Sequence, residues 1–392
     1  MTATPSPQPR VRLVVELVVA LAGGSLLFWT SRMDLRWLEL HATPAFCFDA
    51  STQLSRARLT RALVVAVGAT LIVVVRPIAG RWAGRRTPRA LLADVARLLV
   101  VPIGLALVAC EVILRLWPSP PGPHFEPDSE RDTRLSWRPV PAHVTDLRVG
   151  GRMVRFAVDA EDERVRALEA PVDPTRPTIL FTGESVASGF GLPYEETYPA
   201  MVAARLGVQA VNVAVQGYAN DASYLRLVDA LPRFAHVLAT VTLVVPSALY
   251  RNMAPDRPHL RFSSDGSVQM VARTDHDWSL WSVETLFERT IGLHSAEAAL
   301  RAHDTMAATA RATRARGALP LAIVFGWPTC LPDDGDAPSI DRTLFEGVDL
   351  PHTHVDVPKD AWDPVTGHPD VRAQTKIAEA IVQTLRASGV TP

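Results

Sequence analysis

Three long apolar runs crowd into the first 117 residues, and beyond them the chain turns to short β-rich runs alternating with amphipathic ones. The first run, residues 11–29 (VRLVVELVVALAGGSLLFW), is long enough to cross a bilayer, with Arg12 and Glu16 near one end. No small-residue cleavage motif follows it directly, which predicts an anchor and not a removed signal peptide. The second run, Ala62–Val75, is short for a span, and its flanking Arg61 and Arg76 are placed to snorkel to the two interfaces. The third, Leu98–Leu116, is long enough and carries Pro102 and Glu111, with Arg115 four residues on as a partner for the acid. This pattern predicts a membrane region over 1–117 with about three transmembrane helices.

Charge between the runs sets an expected orientation. The segment Arg76–Arg89 (RPIAGRWAGRRTPR) carries five arginines and no acid, which marks it as cytoplasmic, and Arg10 and Arg12 put the amino terminus on the same side. The longer loop between the first two runs also holds five arginines but carries Asp34, Glu39 and Asp49. Three crossings place everything after Leu116 outside the cytoplasm, whereas failure of the short second run to cross inverts that placement. The expectation is therefore a multi-pass membrane protein in contact with the lipid bilayer, its carboxy-terminal domain extracytoplasmic. The proline-rich PSPPGPHFEPD, residues 118–128, predicts a stiff spacer. It opens a linker and extended segment, 118–170, expected to wrap the domain that fills 171–392.

Within that domain, strands are predicted at 178–182, 208–215, 236–246 and 318–326, with a fifth near 353–357, and helices at 197–206, 220–231, 295–316 and 371–387. Alternation of this kind is the signature of an α/β fold, a parallel sheet covered by helices on both faces. The last helix, VRAQTKIAEAIVQTLRA, puts Ile377, Ala380, Ile381 and Leu385 on one face, as a covering helix requires. With 40 Lys and Arg against 41 Asp and Glu, the chain lacks the basic footprint of a nucleic-acid binder. Cys47, Cys110 and Cys330 show no C-x-x-C spacing, so no zinc site or disulfide framework is expected. Cys110 reads as a packing residue in an apolar run, and a Cys47–Cys330 bridge needs both to face an oxidising compartment.

One strand ends abruptly. In PTILFTGESVASGFGL, residues 177–192, the apolar run stops at Gly183-Glu184-Ser185, a tight turn that places Ser185 at the strand's carboxyl end, where open α/β sheets keep their chemistry. The plainer alternative is a serine that only caps the next helix. Two further blocks bear on this choice: VNVAVQGYAND, with Asn212 and Gly217, and WDPVTGHPD, with Asp363 and His368 just before the last helix. From about Pro118 onward the chain resembles the SGNH, or GDSL, hydrolase family in these three blocks, with Glu184 standing where the family usually has aspartate. The resemblance implies a three-layer α/β/α, flavodoxin-like parallel sheet.

It also implies roles. Ser185 is the nucleophile, His368 the base and Asp363 the acid that orients the imidazole, because a serine hydroxyl attacks only once an imidazole takes its proton. The oxyanion hole falls to the backbone amides of Ser185 and Gly217. Relatives add an asparagine side chain after the third strand, but this sequence reads VVPSALYRN there, leaving Ser247 at the expected position and Asn252 within the same loop. Asp363 precedes His368 by five residues where the family uses three, so Asp360 and Asp356 stay open as alternatives. The implied activity is an esterase or O-acyltransferase working through an acyl-serine on an ester-bearing glycan, lipid or small molecule, with no cofactor. A degenerate domain that binds such a ligand without turnover is the rival. In HTHVDV, His352, His354 and Asp356 alternate and share a strand face, yet no third imidazole at metal spacing accompanies them, so they are read as flanking the final strand and no metal is expected.

Overall fold

The computed structural model describes residues 9–32, 50–116, 128–149, 151–253, 258–263, 267–271, 295–325, 337–358, 360–363 and 366–390. The chain divides into two units, one holding the described helices up to residue 116 and the other the described residues from 128 onward.

In the first unit α1 (Pro9–Arg32) packs against α2, which begins as Ala50–Thr70 and continues through a wider turn at Leu71–Val75 into Arg76–Ala83. Small residues set the approach of the two helices: a Cβ on Gly23 would lie 2.7 Å from Ile72 Cγ1 and 2.8 Å from the Gly68 carbonyl. A Cβ on Gly80 would collide with the side chain of Glu16, which holds Arg12 in an ion pair at 2.8 Å. Arg12 also lies against Gly84, so the amino-terminal end of α1 sits beside the carboxy-terminal end of α2. Among the described residues two helices are long and apolar enough to cross a membrane, Pro9–Arg32 and Arg61–Ala83. The second is longer than the apolar run Ala62–Val75 because helix continues through Arg76, and Arg76 lies inside it and not at its end. After a turn, α3 runs through Pro88–Val95, Ala96–Val100 and Val101–Leu116, with Thr87 capping its start. Among the described residues its apolar stretch is Val101–Ile113, and the side chains of Leu98, Leu99 and 114–116, which complete the run expected at Leu98–Leu116, lie outside them. Cys110 on α3 is exposed, not packed as expected. Cys47, Cys330 and the spacer at 118–127 lie outside the described residues, as does the Arg115 side chain.

The second unit opens with a hairpin of β1 (Ser129–Asp132) and β2 (Ser136–Pro139). Three more strands follow, β3 (His143–Val149), β4 (Arg152–Val158) and β5 (Arg164–Val165). The alternating elements follow: β6 (Thr178–Thr182), a short helix α4 (Ser185–Ser188) that the sequence did not predict, and then, within the predicted ranges, α5 (Tyr198–Leu206), β7 (Gln209–Asn212), α6 (Asn220–Ala230) and β8 (Val237–Val244). A short hairpin of β9 (His259–Phe262) and β10 (Val268–Val271) precedes α7 (Ser295–Arg314), β11 (Leu319–Phe325), α8 (Ala337–Phe345), β12 (His352–Val355) and α9 (Val371–Ala387). The main sheet has the order β12-β11-β8-β6-β7-β5-β4-β3, parallel from β12 to β7 and antiparallel beyond.

Alternation along the central strands builds three layers. Ile179 and Phe181 face one core with Leu321, Ile323 and Phe325, closed by α5 and α9 through Val202, Ile377 and Ile381. Leu180 and Val211 point the other way onto α6, and Ala322 and Val324 onto α7 and α8. The chain is thus an α/β protein with a flavodoxin-like order of its parallel strands, preceded by apolar helices. Segment 128–170 does more than wrap the sheet. Its strands β3 to β5 extend the sheet on one edge, because Leu147, Val149, Val154, Phe156 and Val158 give them an apolar face of their own.

Candidate active site

Gly183 ends β6 at φ +145°, a backbone conformation that L side chains rarely adopt, and a Cβ there would lie 3.0 Å from Leu243 Cβ and 3.2 Å from the Leu243 carbonyl. The residue that caps the following turn is Glu184, whose side chain accepts from the Val186 amide. Ser185 is therefore the first helical residue and its hydroxyl is not spent on capping. Strand order reverses beside β6, between its neighbours β7 and β8, so Ser185 emerges at the crevice where sheets of this type bind ligands.

His368 approaches from the loop before α9. Its Nε2 lies 2.9 Å from Ser185 Oγ, and Phe190 packs against its ring at a centroid distance of 4.5 Å. On the other side of the ring, Nδ1 donates to the Thr366 carbonyl at 2.8 Å. Asp363 shapes that carbonyl's turn: its Oδ1 accepts from the Thr366 amide at 2.9 Å, its carbonyl accepts from Gly367, and its own amide donates to the His368 carbonyl at 2.8 Å. Asp360 is engaged with Arg372 at 2.9 Å, and Asp356 is exposed.

Glu184 adds a contact that the sequence did not signal. Its Oε2 lies 2.7 Å from Ser185 Oγ and 3.2 Å from Arg251 Nη1, with the carboxylate buried. The serine hydroxyl thus has two partners able to take its single proton, the carboxylate of Glu184 and the imidazole of His368.

Gly217 lies in the loop after β7 at φ +73°, with the Trp137 ring against it. That loop is tied to the nucleophile turn where the Val215 amide meets the Gly183 carbonyl at 3.4 Å. Trp137, Pro139, Gln216 and Gly217 line a recess there. Ser247 falls in the helical turn Pro246–Met253, and its side chain lies outside the described residues. Asn252 is buried and committed elsewhere: its Oδ1 accepts from the Asn220 amide at the start of α6, and its Nδ2 donates to the Asn220 side chain and the Ala298 carbonyl, each at 3.3 Å.

Three buried side chains position the turn. Asn212 at the end of β7 donates from Nδ2 to the Ala187 carbonyl at 2.9 Å. Gln374 on α9 bonds the Tyr198 amide and the Val186 carbonyl, linking the helix after His368 to the helix that carries Ser185. Arg164, on β5, turns its guanidinium onto the carbonyls of Ser188, Gly189 and Leu192 and stacks over Phe156 at 4.3 Å. Burial pulls the Arg164 guanidinium down to about 9, still charged at neutral pH. Sequence reasoning missed Arg164 and Gln374, since neither belongs to a motif block. Asn212 was visible in one.

No protein-family model matches the chain, and no curated protein matches it. Solved structures similar to it include TesA, with 16% identity over 54% of this chain and 98% of that one at a TM-score of 0.34. Others are Est24, a carbohydrate acetylesterase from Sinorhizobium meliloti, with 13% identity over 54% and 99% at 0.33, and the psychrotrophic esterase EstA from Pseudoalteromonas sp., with 10% identity over 54% and 97% at 0.32.

Proposed function

We propose that this chain is a serine hydrolase of the SGNH, or GDSL, kind that acts on carboxylic esters through an acyl-serine intermediate. The observation that carries the reading is the 2.9 Å contact between Ser185 Oγ and His368 Nε2 at the carboxyl end of β6. With Nδ1–H held by the Thr366 carbonyl, Nε2 of a neutral ring presents its lone pair to the serine proton. Attack of Oγ on an ester carbonyl moves that proton to His368, and the imidazolium then protonates the leaving alcohol. Water or an acceptor hydroxyl, activated by the same nitrogen, releases the acyl group and regenerates Ser185. Backbone amides of Ser185 and Gly217 are the proposed oxyanion donors. Asp363 acts on the ring through the Thr366 turn, whose carbonyl accepts from Nδ1 and so orients the imidazole.

Two apolar helices support a membrane-anchored enzyme. Anchoring raises the effective concentration of membrane-proximal esters, which fits an acylated envelope glycan, a lipid or an exported small ester met on the extracytoplasmic side. The second reading, a domain that binds such a ligand without turning it over, is favoured by Glu184, because a serine proton held by that carboxylate is not available to His368.

The deciding experiment is labelling of the full-length protein in detergent with a serine-directed fluorophosphonate. We expect labelling of the wild type and loss of at least about 100-fold in both Ser185→Ala and His368→Ala. A folded wild type that stays unlabelled gives the binding reading the advantage.

A further inference from the structure

His352 and His354 alternate along β12, the edge strand of the main sheet among the described residues, with Val355 turned to the opposite face and into the core against α5 and α9. The two imidazoles therefore face α8, and there they meet Asp341, a residue far enough upstream to be invisible to sequence spacing. Asp341 Oδ1 lies 2.7 Å from His354 Nε2 and 3.1 Å from His352 Nε2. One donor atom from each of the three residues lies within 4.8 Å of the others.

The site is held from outside. His352 Nδ1 is 3.2 Å from the Leu350 carbonyl, and its ring stacks on Phe345 at a centroid distance of 4.1 Å with the planes 11° apart. A backbone carbonyl only accepts, so Nδ1 carries the hydrogen. In a neutral ring Nε2 then points a lone pair at a carboxylate oxygen, acceptor against acceptor, unless a cation lies between them. An imidazole whose second nitrogen donates to a carbonyl is also how metal-bound histidines are commonly oriented.

We propose that Asp341, His352 and His354 bind a divalent transition metal of the zinc class, which clamps α8 to the edge of the sheet. Two imidazole nitrogens and one carboxylate oxygen form a mixed borderline donor set that suits zinc and its neighbours and not calcium or magnesium. In a tetrahedral zinc site with bonds of roughly 2.0–2.1 Å the donors sit about 3.3 Å apart, so outward shifts of a few tenths of an ångström from the Asp341 contacts make room for the ion. All three side chains are part-exposed, Asp341 at 40%, which leaves the fourth position open to water or an exogenous ligand.

The test uses full-length protein purified without a polyhistidine tag, stripped with chelator and titrated calorimetrically with zinc chloride. One equivalent is expected to bind the wild type, with affinity at least tenfold weaker in Asp341→Asn, His352→Gln and His354→Gln and unchanged in Ser185→Ala. Cobalt(II) is expected to give visible ligand-field absorption in the wild type that each of the three site variants loses, and zinc is expected to raise the melting temperature of the wild type and of Ser185→Ala more than that of the three site variants. His354→Gln keeps the test open if Asp341→Asn fails to fold. Zinc affinity equal in wild type and variants, or no uptake by the stripped wild type, overturns the proposal and leaves an imidazolium–carboxylate cluster.

Discussion

The proton on Ser185 decides what this site does. Glu184 Oε2 at 2.7 Å and His368 Nε2 at 2.9 Å compete for it, and donation to Glu184 requires His368 to supply a hydrogen from Nε2 in return. Since Nδ1 already donates to Thr366, that arrangement makes the ring an imidazolium, which cannot act as a base. A charged acceptor holds a hydroxyl more strongly than a neutral one, by on the order of 1 kcal/mol. Glu184→Gln keeps the shape and the cap to Val186 while weakening the competitor, so fluorophosphonate labelling at neutral pH is expected to rise about fivefold. A fall in labelling with the fold intact would mean that the carboxylate assists His368 and does not compete with it.

At the level of elements, the site hangs on how the turn after α4 is supported. Gly189 adopts φ +74°, and a Cβ there would strike Thr197 and the Arg164 guanidinium, so strand β5 and the Gly-rich turn are fitted to each other. Arg164 serves three buried carbonyls, of which that of Gly189 also accepts from the Leu192 amide at 3.1 Å. Arg164→Met is expected to cost roughly 3 kcal/mol in chemical denaturation and to slow labelling at Ser185 at least tenfold, because unsatisfied buried carbonyls cost about 1–3 kcal/mol each and the turn relaxes to find new partners. Arg164→Lys, which keeps the charge but not the fork, is expected to fall between the two. Equal labelling in all three proteins would show that the turn holds its shape without β5. The reach of this support explains what was legible. Strands β6, β7, β8, β11 and β12 and helices α5, α6, α7 and α9 announced themselves through their own periodicity, and Ser185 and His368 because each lies in a recognisable block, whereas β9, β10, α4 and α8 did not. Arg164 sits on a two-residue strand in a segment expected only to wrap the sheet, and its partners come from a turn far along the chain, so nothing local marks it. Asp341 was hidden for the same reason: its neighbours are set by packing across layers and not by spacing.

For the molecule as a whole, positive and negative charges nearly cancel, with a formal net charge of −1, so self-repulsion contributes little to its response to pH near neutrality. Buried groups dominate instead. Glu163, fully buried beside β5, has one carboxyl oxygen paired with Arg233 at 2.7 Å and the other without a hydrogen-bond partner. Burial outweighs the pull of Arg233 and pushes this carboxyl up from an ordinary 4.5 to about 7. The folded protein then binds the proton more tightly than the unfolded chain does. The stabilisation is complete below about 4.5, is lost as pH climbs to about 7, and is constant above that. A shift of this size corresponds to on the order of 3 kcal/mol across the window. Glu163→Gln keeps the bond to Arg233 and removes the titration, so its stability relative to wild type is expected to improve from pH 5 to about pH 7 and then to level off in denaturant unfolding followed at the tryptophans. Parallel pH profiles for the two proteins would sink this account, and would mean that Arg233 holds Glu163 ionised throughout.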